Sequence, residues 1–196
     1  MLTAFKEVHY CLLIGAGFVT ILGVFTPLFY LPTYAVEHGM SARLSLYLLA
    51  IVNAASFFGR VIPGILADKL GRLNAFFAAA LSAGILAICW QRVTTNAEMI
   101  VFAVLYGFFS GAVISLMSVC FAQVPKSPQN IGTYMGMAMF VVSFAALIGP
   151  PVTGALVTRY GSFNEAADFS GVCILVGAFT VLLSKKWTKK GIWSRF

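Results

Sequence analysis

The 196-residue sequence is short of charge. Asp, Glu, Lys and Arg together make up 10% of it, whereas an ordinary soluble domain carries about 25%. Acidic groups are scarcest, six against thirteen Lys and Arg. A chain that is 60% hydrophobic cannot clothe a soluble exterior with so few polar groups. Disorder and collagen-like fibres are excluded on the same figures. The four cysteines, Cys11, Cys89, Cys120 and Cys173, form no CxxC pair, so neither a disulfide framework nor a metal site is expected. The only histidines, His9 and His38, fall at opposite ends of the first apolar run. No HExxH or GxSxG string occurs, which argues against an enzyme and leaves no cofactor to assign.

What the chain has is long apolar runs. No charged residue lies between Glu7 and Glu37, and residues 44–67 hold one, Arg60. Further uncharged stretches cover 73–91, 99–125, 127–158 and 169–184. A helix needs about 20 mostly apolar residues to cross a bilayer. The runs therefore predict an all-α membrane protein with six transmembrane helices, near 10–32, 44–67, 73–91, 99–121, 133–156 and 166–184, in a single domain over 1–196. Barrel strands would be about 10 residues long and alternating, which these runs are not. The first run is also too long for a signal peptide, and Pro27 and Pro32 interrupt the zone where cleavage would lie.

The basic residues predict orientation. Six spans place Lys6, Lys69, Arg72, Lys126, Lys185, Lys186, Lys189, Lys190 and Arg195 on one side, and only Arg43, Arg92 and Arg159 on the other. The positive-inside rule then puts both termini in the cytoplasm of a multi-pass protein, in the plasma or vacuolar membrane. The net charge of +7 is accordingly a set of membrane anchors, and no nucleic-acid partner is expected. The lipid bilayer is the first partner, and the lysines after residue 184 read as a stop-transfer flank.

Spans three and six read as plain lipid-facing helices without proline. Span one instead carries Pro27 and Pro32 beside Tyr30 and Tyr34, and span five carries Gly149-Pro150-Pro151. These are expected to break or closely pack their helices, because proline removes a backbone donor and small residues let backbones approach. The alternation of plain and irregular spans has a period of three, which suggests two three-helix repeats. Arg60 is the one charge inside a span, about 12 Å along the helix from Asp68. Such residues usually face a bundle interior or a watery cavity. Asn53, Ser56 and Arg60 fall at i, i+3 and i+7, so the cation and two neutral polar groups share a helical side. Snorkelling to the headgroups or bracing a neighbouring helix are the plainer alternatives for Arg60.

Span two is followed by Gly64-Ile-Leu-Ala-Asp68-Lys69-Leu-Gly71-Arg72. This string, between the second and third spans, resembles the signature loop of the major facilitator superfamily. The stretches Pro27–Ala35, Asn53–Gly64 and Gly149–Leu156 narrow the likeness to the C-terminal half of fungal monocarboxylate-transporter-like proteins, over about residues 8–184. The resemblance implies a conformational latch at Gly64, Asp68, Lys69, Gly71 and Arg72, and a fold with a second six-helix half. Animal members carry an Asp four residues before the span-two Arg; Ser56 stands there, which puts proton-coupled monocarboxylate transport in doubt.

Two functions remain open on these residues. In the first, the chain is, or belongs to, a secondary active transporter moving a small organic solute, a carboxylate or another metabolite, by alternating access. Asn53, Ser56 and Arg60 then line its cavity, Tyr30 and Tyr34 gate the outer mouth, and the partner is a missing N-terminal half or a second copy. In the other, it is a truncated or non-transporting six-helix membrane protein, a structural half or scaffold.

Overall fold

Residues 7–125 and 127–186 are described by a computed structural model, 185 and 186 as backbone alone. Of the predicted basic anchors, Lys6, Lys126, Lys189, Lys190 and Arg195 lie outside the described residues, as do the side chains of Lys185 and Lys186. Six α-helices follow one another: α1 (Val8–Glu37), α2 (Ala42–Leu70), α3 (Arg72–Cys89), α4 (Asn96–Ala122), α5 (Ile131–Tyr160) and α6 (Asn164–Lys186). Each is long and apolar enough to cross a membrane. Six helices capable of spanning are there as predicted; five extend a few residues beyond the apolar runs, and α3 passes into 3-10 helix at Trp90. Short turns of 3-10 helix, Trp90–Arg92 and Pro128–Asn130, complete the regular structure of the described residues.

Connections are short and their ends are capped. Ser41 caps α2, and Thr95 with Glu98 makes a reciprocal capping box on α4. Between α2 and α3 the whole connection is Gly71, at φ +90° and ψ +130°, a conformation that any side chain would strain.

The packing repeats with a three-helix period. α1 packs on α5 and α6, α4 packs on α2 and α3, and α3 packs on α6. Exchanging α1-α2-α3 for α4-α5-α6 reproduces each of these pairs, as two structural repeats require. Bilayer helices associate through van der Waals contact, so their seams favour residues without bulk. On the α2–α4 seam, a Cβ on Gly107 would strike the Val52 carbonyl, one on Gly111 the Ser56 carbonyl, and one on Gly59 the Phe108 carbonyl.

Two expectations are corrected here. No helix breaks at the prolines: α1 runs through Pro27 and Pro32, and α5 through Gly149, Pro150 and Pro151. At Pro27 a neighbouring helix replaces what proline removes. Pro27 frees the Gly23 carbonyl, and Ser170 Oγ on α6 donates to it at 2.8 Å. Gly149 does pack closely, with α1's Leu22 carbonyl where its Cβ would be. The second correction concerns exposure. α3 and α6 are partly buried against each other, with Gly84 and Gly171 at their crossing, whereas α2 and α5 are the least covered helices. Helices that read as plain by composition need not be the ones left bare.

Candidate functional site

The seam with α4 decides which side of α2 stays open. Ser56 and Gly59 are pinned there, Ser56 at 8% exposure with Gly111 against its carbonyl and hydroxyl. Asn53, Phe57 and Arg60, at i, i+4 and i+7, are left exposed on the other side. Asn53 Nδ2 donates to the Leu49 carbonyl of its own helix at 2.8 Å. Arg60 has no ion-pair partner among the described residues, and Ser115 Oγ of α4 donates to its carbonyl at 3.4 Å. The structure thus keeps Asn53 and Arg60 together and turns Ser56 into the helix interface. α1 packs on both α2 and α5, the two least covered helices. Both helices expose aromatic rings, Phe57 and Phe58 on α2 and Phe140 and Phe144 on α5, and α1 exposes Phe29. Chemically, this is a lone guanidinium and an amide set among apolar rings, suited to an anionic group on an organic body.

Tyr30 and Tyr34 sit far from Arg60, about 17 and 22 Å along the helices. Tyr30 is half-buried and donates to the Pro150 carbonyl at 2.9 Å, in the space left by Gly154. Tyr34 is 2% exposed, and its hydroxyl donates to the Val93 carbonyl at 2.8 Å. Its ring belongs to a cluster with His38, Trp90 and Phe163. A cleft of about 500 Å³ between the ends of α1 and α2 lies nearby, but it is lined by Pro32, Thr33 and Leu46 rather than by either tyrosine.

At the other end is the loop of the signature string. Arg72 Nη2 stands 3.2 Å from Asp68 Oδ1, and with its amide oxygen turned inward Gln123 accepts from Arg72 Nη1 at 2.7 Å. One guanidinium therefore ties the ends of α2, α3 and α4 together. Lys69 is exposed, and Gly64 has open space where a Cβ would stand. Gln123 carried no signal in the sequence, being one neutral residue after an apolar run. Three buried contacts were equally silent: Thr26 with Thr153 at 2.7 Å, Tyr106 Oη to the Val24 carbonyl at 2.8 Å, and Ser170 to Gly23. They bind α1 to α5, α4 and α6, and nothing local to either partner predicts them.

Six spans in exchangeable triplets, a glycine reversal between the second and third, and a lone intramembrane cation describe an integral multi-pass protein built as half of a transporter bundle. The chain belongs to the Major Facilitator Superfamily, whose profile matches residues 13–190. It is 49% identical over 176 residues to the aspyridones efflux protein of Emericella nidulans, covering 90% of this chain and 36% of that protein. It is 38% identical to the agnestins efflux protein of Paecilomyces divaricatus, covering 89% of this chain and 40% of that one. In fold it resembles the Escherichia coli fucose:proton symporter, with a TM-score of 0.79 at 18% identity over 93% of this chain and 44% of that one. The chain thus spans about two-fifths of the length of these curated relatives. They are named as efflux proteins and transporters, not as enzymes.

Proposed function

We propose that the chain is the C-terminal six-helix half of a secondary active transporter of the monocarboxylate-transporter-like kind. It works by alternating access against an N-terminal six-helix half or a second copy. The observation that carries this is the open face of α2, where Arg60 and Asn53 lie exposed inside an apolar span beside Phe57. A cation is costly in hydrocarbon, so a cavity that hydrates it and admits an anionic solute gives it a reason to be there. The names of the relatives support export of a small organic metabolite, and the Arg60 guanidinium suits a carboxylate or similar group on it. Ser56 shapes this face through its packing on α4. Tyr30 and Tyr34 serve the outer mouth as hydrogen-bonded pins, and Gly64, Asp68, Lys69, Gly71 and Arg72 form the latch at the opposite, cytoplasmic end.

The test is flux in the full-length protein carrying Arg60→Ala. A hydrogen bond to a charged group contributes about 1.5–3 kcal/mol, so flux of an anionic solute should fall at least about tenfold at unchanged membrane abundance. Arg60→Lys should recover part of it. Unaltered flux in the alanine variant would remove Arg60 from the site.

A further inference from the structure

A groove on the flank of the bundle has no role in the reading above. α2 and α3 meet at Gly71 and diverge from it, and α4 lies behind them. The space left between is a cavity of about 200 Å³, lined by Ile62, Leu66 and Leu70 of α2, Ala75, Ala78 and Ala79 of α3, and the aromatic pair Phe108 and Phe109 of α4. Small residues set its shape. The alanines of α3 leave the trough, and Pro63 also lines it. Ser82, at the far end, is the single polar side chain in the lining. From Ala75 to Ser82 the trough runs about 10 Å along α3, against about 15 Å of hydrocarbon in one leaflet. Apolar space of this kind stays dry, and in a bilayer hydrocarbon is available to fill it.

Charge distinguishes the mouth. Ile62, Leu66 and Lys69 fall at i, i+4 and i+7, so the lysine stands on the groove's side of α2 at its Gly71 end. Asp68 is engaged by Arg72, which leaves Lys69 with no ion-pair partner among the described residues. A second apolar groove, about 360 Å³ between α3 and α4 at the opposite end, differs in this respect. It has Glu98 in its lining, held by the backbone N–H groups of Thr94 and Thr95.

We propose that the α2–α3–α4 groove is a binding site for an anionic glycerophospholipid, one acyl chain lying in the alanine trough and the headgroup phosphate region meeting Lys69. Attraction of a lysine to an anionic surface is worth about a fivefold preference, and the trough confines it to one place. A sterol fits less well, because the groove's one hydroxyl partner, Ser82, lies at the buried end rather than at the headgroup level.

The experiment places the full-length protein in phosphatidylcholine vesicles doped with photoactivatable phosphatidylserine or, separately, photoactivatable phosphatidylcholine, and maps the adducts by peptide mass spectrometry. Phosphatidylserine adducts should concentrate on the peptides bearing Ile62–Leu70 and Ala75–Ser82. Lys69→Gln should lower the serine-to-choline adduct ratio there about fivefold and leave the α3–α4 groove near Leu86–Leu105 unchanged. Ala78→Phe, at an exposed position in the lining, should remove adducts of both lipids from the trough. Adducts spread evenly over the lipid-facing helices, or a ratio unmoved by Lys69→Gln, would overturn the proposal, as would displacement of the adducts by ergosterol but not by unlabelled phosphatidylserine. None of these readouts depends on transport, so they stand apart from the flux test of Arg60.

Discussion

The two ends of the bundle are held in opposite ways. At one, Tyr34, Trp90, Phe102 and Phe163 are all buried, with ring centroids 5.0–6.2 Å apart, and Tyr34 donates across to the carbonyl of Val93. At the other, a single glycine turns the chain, and the tie is Arg72 with Asp68 and Gln123, of which the Asp68 side chain is 67% exposed. Ring packing is costly to open, because admitting water forfeits both the burial and the dispersion contacts. An exposed ion pair is worth about 0–1 kcal/mol and is readily exchanged for water. An end joined in the second way separates at little cost, while an end joined in the first resists. A bundle whose two ends differ in this way opens more readily at one than at the other.

The largest effect should come from the aromatic end. Trp90 is fully buried, and deleting such a ring typically costs about 3–5 kcal/mol. Trp90→Ala should lower the thermal midpoint of the detergent-solubilised protein by many degrees. Trp90→Phe sharpens the comparison, because Trp90 Nε1 is buried without a hydrogen-bond acceptor among the described residues. Losing that donor forfeits no bond, so the phenylalanine variant should keep most of the stability. If it falls as far as the alanine variant, ring packing is not what holds this end.

Gly71 should come next. At φ +90° an alanine is strained by about 1–3 kcal/mol, so Gly71→Ala should destabilise less than Trp90→Ala. Its effect should be confined to the α2–α3 junction. Hydrogen exchange of α3's first turn, where Ala75 N–H bonds to the Gly71 carbonyl, is the measurement. Faster exchange around Trp90 instead would mean that the two ends are coupled.

Much of this arrangement was legible, and unevenly so. Six helices followed from gaps between charges, because a bilayer tolerates almost no charge inside a span. The reversal at Gly71 followed from a glycine between two spans. Which side of α2 lies open did not. Ser56 and Asn53 are only about 60° apart on a helical wheel, and the difference is made by Gly111 and Gly107 on a helix some fifty residues on. Proline misled for a related reason. A proline removes a backbone donor locally, but Ser170, 147 residues away from Gly23, supplies a replacement that no local pattern announces. Tyr34 reads as a free aromatic near a mouth, and its burial depends on Trp90 and Phe163 arriving from two other connections.

The smallest effect should come from Gln123, and it tests the weak end most directly. Arg72 reaches Asp68 within its own hairpin but reaches Gln123 on α4, so only the second contact links separate pieces of the bundle. Gln123→Ala should lower stability by no more than about 1 kcal/mol, and a double-mutant cycle with Arg72→Ala should return a coupling of similar size. Gln123→Glu converts the neutral contact into an ion pair with a cation only 35% exposed, and should tighten it by a comparable amount. The two substitutions should therefore move the opening of this end in opposite directions, read as thiol labelling of Cys120, which is buried beneath the tie. Faster labelling in Gln123→Ala and slower labelling in Gln123→Glu would make the tie the element that governs access. Equal rates in both would leave helix packing alone holding α2, α3 and α4 together at this end.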